Sequence, residues 1–286
     1  MSSDIINYMS HGLVIATVVY ENYTVLDDFL RSLSVQTDKN FHLFISDLSK
    51  EKKPIETEGV NLTVSYGENK GYAYGINLSL KNAIGKGFDK FCVINNDTSF
   101  ENEFVESVNK SIDLHPESII GGKIYYAPGF EYHKSRYKNT DLGKVIWYAG
   151  GKTDWNHVIT HHVGVDEIDE GDFNIESETD FVTGCLMCFD KKLINKIGFL
   201  DESYFLFYED ADYCERAKRK GLKLYFDPLI KIWHKSGQST EGAGSKLQQK
   251  YQRKSRLKFG LKYAPLKTKL HLLKNDLLSN IKDIIR

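Results

Sequence analysis

Four short segments carry residue types that could do chemistry. The most acidic is Phe207-Tyr208-Glu209-Asp210-Ala211-Asp212-Tyr213, with Arg216 four residues past Asp212. Acids at the mouth of a helix are favoured by its dipole, which accounts for one or two of them. A carboxylate held beside apolar walls such as Phe205 to Tyr208 is also a usable general base. Asp212 and Arg216 can pair on one helix face. A second segment, Asn95-Asn96-Asp97-Thr98, ends an apolar run with a single carboxylate. Oxygen ligands of that kind suit Mg²⁺ or Mn²⁺, which can neutralise a diphosphate. Asn and Asp also favour turns for purely local reasons.

The third segment, Glu68-Asn69-Lys70-Gly71-Tyr72-Ala73-Tyr74-Gly75, puts two glycines at the opening of a helix. They allow close backbone approach to a ligand, and the helix N-terminus favours an anion. Glycines four apart do not make G-x-G-x-x-G, and no Gly-Lys-Ser/Thr follows, which disfavours a dinucleotide fold and a P-loop. The fourth segment is Trp233-His234-Lys235-Ser236-Gly237. Its histidine ends an apolar strand and could complete a metal site or meet a phosphate, although single histidines are more often structural.

These residues need a scaffold. Apolar, β-branched runs predict strands at 13–20, 41–46, 60–66, 90–94 and 118–125. Helical spacing predicts helices from Leu26, over 72–84 and over 101–114. Strand and helix thus alternate, which argues for a parallel sheet covered by helices, with ligands beyond the carboxyl ends of the strands. Tyr20-Glu21, Asp47, Asn69 and Asn95 to Asp97 all stand just after predicted strands. Residues 128–174 read as loops with one or two strands, and Phe181 to Phe189 is again apolar. A helix over 211–220 ends at Gly221, and two short strands flank Pro228.

The chain has 286 residues and a formal net charge of −1, so no overall field points to nucleic acid. Cys92, Cys185, Cys188 and Cys214 form no paired framework and read as reduced core thiols of a cytoplasmic protein. The polar start, Met1 to His11, has no leader-like apolar run, and no stretch nears the roughly 18 apolar residues of a membrane span. Residues 246–286 are strongly basic and helical, with Leu266, Leu270, Leu273, Leu277 and Ile281 at three- and four-residue steps. That pattern fits a helix packed on the domain with its lysines in water, and equally a peripheral contact with anionic membrane.

In order and spacing, these segments resemble the family-2 inverting glycosyltransferases, in particular their bacterial rhamnosyltransferase-like branch. Thr17, Tyr20 and Glu21, Asp47, Asn69-Lys70-Gly71, Asn95-Asn96-Asp97, Trp147-Tyr148-Ala149-Gly150-Gly151, Val182-Thr183-Gly184-Cys185, Glu209-Asp210-Ala211-Asp212 and His234-Lys235-Ser236-Gly237 carry the likeness, over about residues 12–240. The resemblance implies an α/β fold of GT-A type: a mixed, mostly parallel sheet flanked by helices, here with a C-terminal helical extension. It implies a domain over 1–245, with a nucleotide-binding part at 12–125 and an acceptor part at 126–245, followed by the extension 246–286. It implies transfer from a nucleotide-diphosphate sugar, dTDP-rhamnose or a UDP-sugar, to a hydroxyl of a surface-polysaccharide or lipid-linked glycan. Thr17, Tyr20, Glu21, Asp47, Asn69, Gly71 and Asn96 would then bind the nucleotide. Asp97 and His234 would hold Mn²⁺ or Mg²⁺, and Asp210 would be the base. Thr183, Gly184, Glu209, Asp212 and Trp147 would meet sugar or acceptor. The leading Asp of the family's D-x-D is Asn95 here, and Asp47-Leu48-Ser49 departs from the usual Asp-Asn-x-Ser. A nucleotidyltransferase would carry a glycine-rich basic loop where Tyr20-Glu21-Asn22-Tyr23 stands. A glycan-binding module without turnover is favoured by Asn95 and opposed by the acids at Glu209 to Asp212.

Overall fold

A computed structural model describes residues 12–237 and 245–285, with side chains through residue 276. The polar start at residues 1–11 and the stripe positions Leu277 and Ile281 lie outside the described backbone or side chains. Four parallel strands form one half of the main sheet: β1 (Leu13–Val19), β2 (Phe41–Asp47), β3 (Leu62–Tyr66) and β4 (Lys90–Ile94). Their spatial order is β3-β2-β1-β4. β1 is central, and six of its seven residues are buried, in keeping with its almost wholly apolar run.

The other half mixes directions. Short β5 (Thr98–Phe100) follows β4, and β6 (Ile119–Tyr126), β7 (Ile146–Tyr148), β8 (Gly151–Asp154), β9 (Ile159–His162), β10 (Ser177–Glu178), β11 (Leu186–Asp190) and β12 (Leu224–His234) complete the set. β11 runs antiparallel to both β4 and β6, so it joins the two halves. β12 runs parallel to β6, and β8 and β9 form a separate hairpin. Helices α1 (Leu26–Ser34), α2 (Tyr72–Gly85), α3 (Phe104–Leu114), α4 (Lys191–Ile197) and α5 (Glu209–Arg219) cover the sheet. The result is the expected mixed, mostly parallel sheet flanked by helices.

Two local expectations are corrected. The two strands around Pro228 are one strand, β12, whose register against β6 shifts between Asp227 and Lys231. Proline lacks the N–H a ladder needs, and a bulge absorbs it without ending the strand. The basic C-terminal segment is two helices, α6 (Lys246–Tyr263) and α7 (Leu266–Ile285), parted at Ala264-Pro265. Proline disfavours helix at the residue before it, so α6 stops there.

α6 packs on the segment that leads into α5. Phe259 is buried between Trp155 (ring centroids 5.5 Å) and Tyr208 (5.4 Å). Ser255 Oγ donates to the Leu206 carbonyl at 2.9 Å, and Phe205 stacks on Tyr251 at 4.8 Å. These contacts hold an unusual turn, because Phe207 and Tyr208 both take left-handed φ, 66° and 67°. Such conformations cost roughly 1–3 kcal/mol each in a non-glycine residue and persist only where the surroundings enforce them. The reversed turn sets the first residues of α5, the acidic segment, at the rim of the sheet.

Candidate active site

The Thr183–Leu186 turn, just before β11, is the hub of the site. It closes by a hydrogen bond from Leu186 N to Thr183 O at 3.2 Å, and Thr183 Oγ1 accepts the Cys185 N–H at 3.3 Å. On one side, Gly184 N donates to Asp210 Oδ2 at 2.9 Å. On the other, Asn95 N donates to the Cys185 carbonyl at 3.0 Å, at the foot of the loop bearing Asp97. Tyr72, the first residue of α2, closes over the turn and donates its hydroxyl to Gly184 O at 2.9 Å. Burial, and then the charges of Glu209, Cys185, Asp210 and Asp97, hold the Tyr72 phenol well above its usual pKa. Those four groups therefore surround one side chain. Asp97 and Asp210, more than a hundred positions apart in the chain, border the same neighbourhood.

Asp210 Oδ1 accepts its second hydrogen bond from Ala211 N at 2.8 Å. Burial raises its pKa, and the backbone donors pull partly back. As a residue Asp210 is only partly exposed, and both of its carboxylate oxygens meet backbone donors. Glu209 beside it is buried, and its Oε2 has no hydrogen-bond partner. Burial first, and then the Asp210 charge, push the Glu209 pKa up to about 8. An acid whose folded-state pKa exceeds its ordinary 4.5 leaves the folded state holding the extra proton between those values. Stability contributed by neutral Glu209 is therefore lost as pH rises through that window. Glu209→Gln should melt higher than the parent protein, by a margin that grows from about pH 4.5 to about pH 8 and then levels off. A margin that does not change with pH in a melting series would show that Glu209 does not titrate there.

Asp97 is buried, and its Oδ1 lies 3.3 Å from His234 Nε2. Neither Asp97 Oδ1 nor His234 Nδ1 has a hydrogen-bond partner. Burial opposes charge on His234, but Cys185 and Asp97 outweigh it and raise the imidazole pKa. Two buried polar atoms without a hydrogen bond, on adjacent side chains of types that can ligate metal, fit a divalent ion shared between Asp97 and His234. Among the described residues no cluster of three or more His, Cys, Asp or Glu forms, so further ligands would have to come from the substrate or water. Lys235 N donates to Asp97 O at 2.9 Å and ties the end of β12 to this loop. Trp147 meets the His234 ring edge-on at 4.7 Å and is half-buried beside it.

The residues expected to bind the nucleotide lie on or just past β1 to β4, toward their carboxyl ends. Thr17 is buried on β1, with its Oγ1 unpartnered. Tyr20 is 44 % exposed just past β1, and Glu21 follows with a left-handed φ of 60°. Glu21 Oε1 accepts Lys50 N at 2.9 Å, which joins the loops after β1 and β2. Asp47 is buried and already accepts the Tyr23 hydroxyl at 2.7 Å and Ser49 N at 3.0 Å. Asn96 Nδ2 donates to Val18 O at 2.9 Å. Asn69 Oδ1 accepts Gly71 N at 3.0 Å.

Three readings change. A Cβ on Gly71 would lie 2.3 Å from Phe205 O, and one on Gly75 would lie 2.7 Å from Val18 Cγ2. The close approach that these glycines permit is to the chain's own loop and core; Gly71 lets Tyr72 N bond Phe205 O at 2.9 Å. Asp212 does not line the site. Its carboxylate is fully buried and bound by Arg216 Nε (2.8 Å), Lys262 Nζ (2.6 Å) and Tyr263 Oη (2.9 Å), so it anchors α6 to α5. Cys185, read as a core thiol and as the end of the Val182–Cys185 motif, lies close enough to His234 that each alters the other's pKa. Tyr72, Tyr23 and Ser49 were also not singled out as site residues. All three lie within segments that the sequence reading quotes, but none is given a role there.

Comparison with known proteins agrees with this geometry. The family described as "Glycosyl transferase family 2" matches residues 14–198, more than half of the chain. A dTDP-rhamnosyl transferase, RfbF of Shigella flexneri, is 23 % identical over 198 residues, 67 % of this chain and 57 % of that protein. The low-salt glycan biosynthesis hexosyltransferase Agl10 of Haloferax volcanii is 21 % identical over 162 residues, 56 % of this chain and 47 % of that protein. The matches thus span about half the length of these relatives. The structure of GalNAc-T7 with UDP, GalNAc and Mn²⁺ superposes with a TM-score of 0.59 and 11 % identity, over 80 % of this chain and 44 % of that one. The mannosyltransferase PcManGT of Pyrobaculum calidifontis, in complex with GDP-Man and Mn²⁺, gives 0.53 and 11 %, over 93 % and 69 %. The mixed sheet is that of the GT-A glycosyltransferases, and the chain belongs to glycosyl transferase family 2.

Proposed function

We propose that the enzyme transfers a sugar, with inversion, from a nucleotide-diphosphate donor to a hydroxyl of a surface-polysaccharide or lipid-linked glycan, and that Asp210 is its base. The observation that carries this reading is the Thr183–Leu186 turn, which binds Asp210 on one side and the Asp97 loop on the other. Asp210 takes the acceptor proton as the new bond to the anomeric carbon forms on the face opposite the leaving diphosphate. Asp97 and His234 would hold a divalent ion, Mn²⁺ or Mg²⁺, which supplies neutralising charge to that diphosphate when bound. Tyr20, Glu21, Asp47, Asn69 and Asn96 stand where the nucleotide would lie, and Gly71 shapes that wall indirectly. Trp147, Gly184 and Glu209 border the space left for sugar and acceptor.

Similarity to a dTDP-rhamnosyl transferase supports dTDP-rhamnose as the first donor to test, with UDP-sugars next. The four cysteines are free and buried, which supports action in the reducing cytoplasm. Among the described residues no helix is long and apolar enough to cross a membrane.

A thermal-shift panel of dTDP-rhamnose, UDP-galactofuranose, UDP-N-acetylglucosamine and a GDP-sugar, with and without Mn²⁺, tests the proposal. The true donor at about a hundred times its Kd should raise the melting temperature by roughly 5–10 °C. Dinucleotides such as NAD should not. The absence of a shift with every sugar nucleotide, with or without metal, would refute donor binding.

A further inference from the structure

We propose that α7 lies on an anionic lipid surface and presents the catalytic domain to it. The first observation is a stripe left exposed among the described residues. Leu266, Leu270 and Leu273 are 74 %, 62 % and 49 % exposed, whereas Thr268 and Leu272 of the same helix are buried. Leu272 faces α6, where a Cβ on Gly260 would meet its Cδ1 at 2.3 Å. At 3.6 residues per turn, the three exposed leucines fall within an arc of about 60°. α7 is thus docked by one side and offers an apolar ridge on another.

The second observation is charge. By the same helical spacing, Lys269 flanks one edge of the ridge, and Lys267 and Lys274 flank the other. Lys267 and Lys274 are exposed and Lys269 is partly so. Between Lys246 and Asp276 the chain carries ten Lys or Arg and one Asp, although the whole chain has a net charge of only −1. Lysines along an apolar ridge can lay their stems on it and lift their ammonium groups to an acidic headgroup layer. Two copies pressed together through this ridge would oppose lysine to lysine, which like charges disfavour, since Asp276 on the Lys269 edge is already paired with Arg253 at 3.0 Å. A lipid surface with negative headgroups complements both the ridge and its edges. With no helix among the described residues able to span a bilayer, the contact is one that lies on the membrane.

The consequence for the enzyme is positional. α6, which holds α7, also fixes the Phe205–Tyr208 turn that leads into Asp210. A membrane-bound α7 would keep this acceptor side near lipid. This consequence alone depends on the proposed function; lipid binding by α7 does not.

The test is sedimentation of the full chain with vesicles of phosphatidylcholine alone or phosphatidylcholine mixed with phosphatidylglycerol. The parent protein should pellet with the mixed vesicles, less so as salt is raised, and stay in solution with phosphatidylcholine. Joint replacement of Leu266, Leu270 and Leu273 by Ser should weaken binding more than tenfold. Gln in place of Lys267, Lys269 or Lys274 should weaken it about fivefold per lysine at low salt. These side chains are at the surface, so melting temperature should hold. If the triple variant fails to fold, Leu270→Trp provides the readout, with emission that shifts to the blue only with the mixed vesicles. A parent protein that ignores mixed vesicles, or a leucine variant that binds them unchanged, overturns the proposal. A solution dimer that falls apart in the leucine variant also overturns it, and would assign the ridge to a second copy.

Discussion

Asp210→Asn should slow sugar transfer by roughly 10²–10⁴-fold, the usual contribution of a general base, and leave donor affinity within about twofold. The attacking hydroxyl is a poor nucleophile while it keeps its proton. A carboxamide cannot accept that proton in exchange for the new bond. Both Asp210 oxygens accept backbone N–H groups in the structure, from Gly184 and Ala211. Asn can satisfy one of them and must turn its own NH₂ toward the other. One buried donor then loses its partner, a cost of about 1–3 kcal/mol. A modest fall in melting temperature should therefore accompany the kinetic effect. Single-turnover transfer measured beside donor titration separates the two causes. Turnover at the parent rate would remove Asp210 from the base role. Loss of donor binding together with rate would mean that Asp210 acts through the Thr183–Leu186 turn.

The second large effect belongs to Asp97. Asp97→Ala should weaken Mn²⁺-dependent donor binding by roughly 10–100-fold or more, since loss even of a group that merely supports a ligand has that effect. The parent enzyme's donor affinity should drop when a chelator is added, and the variant's should not change further. His234→Gln should fall in between, because Asp97 would still offer a carboxylate oxygen. The expectation rests on two buried atoms on neighbouring side chains, Asp97 Oδ1 and His234 Nδ1, that lack hydrogen-bond partners. A buried polar atom without a partner is costly, and a bound cation with its ligands would remove the cost at Asp97. Donor affinity indifferent to chelator and to Asp97→Ala alike would take the metal out of the mechanism.

Much of the scaffold was legible from local pattern. The β1 run is apolar but for Thr17 because the strand is covered on both faces, and that shows in a window of seven residues. Asp47 and Asn95 to Asp97 follow their strands directly, so their place at one edge of a parallel sheet needed no knowledge of distant contacts. The direction of β11 was not legible, because parallel and antiparallel pairing can bury the same apolar run. Nor were the paired left-handed residues Phe207 and Tyr208, which no local rule favours and which α6 holds in place from some fifty residues away.

The amino-acid sequence by itself determined that β1, β2, β3, β4 and β6 form, that polar residues follow several of them, and the order of those residues along the chain. These properties depend on neighbours within a few positions. Only the tertiary structure decided how those residues are used. Gly71 makes room for Phe205, Asp212 is taken by Lys262 and Tyr263, Cys185 comes to His234, and three leucines of α7 stay bare. Each outcome turns on which distant side chain reaches a given atom first. A carboxylate already bound by a lysine and a tyrosine cannot also serve a sugar, and its letter in the sequence is the same either way.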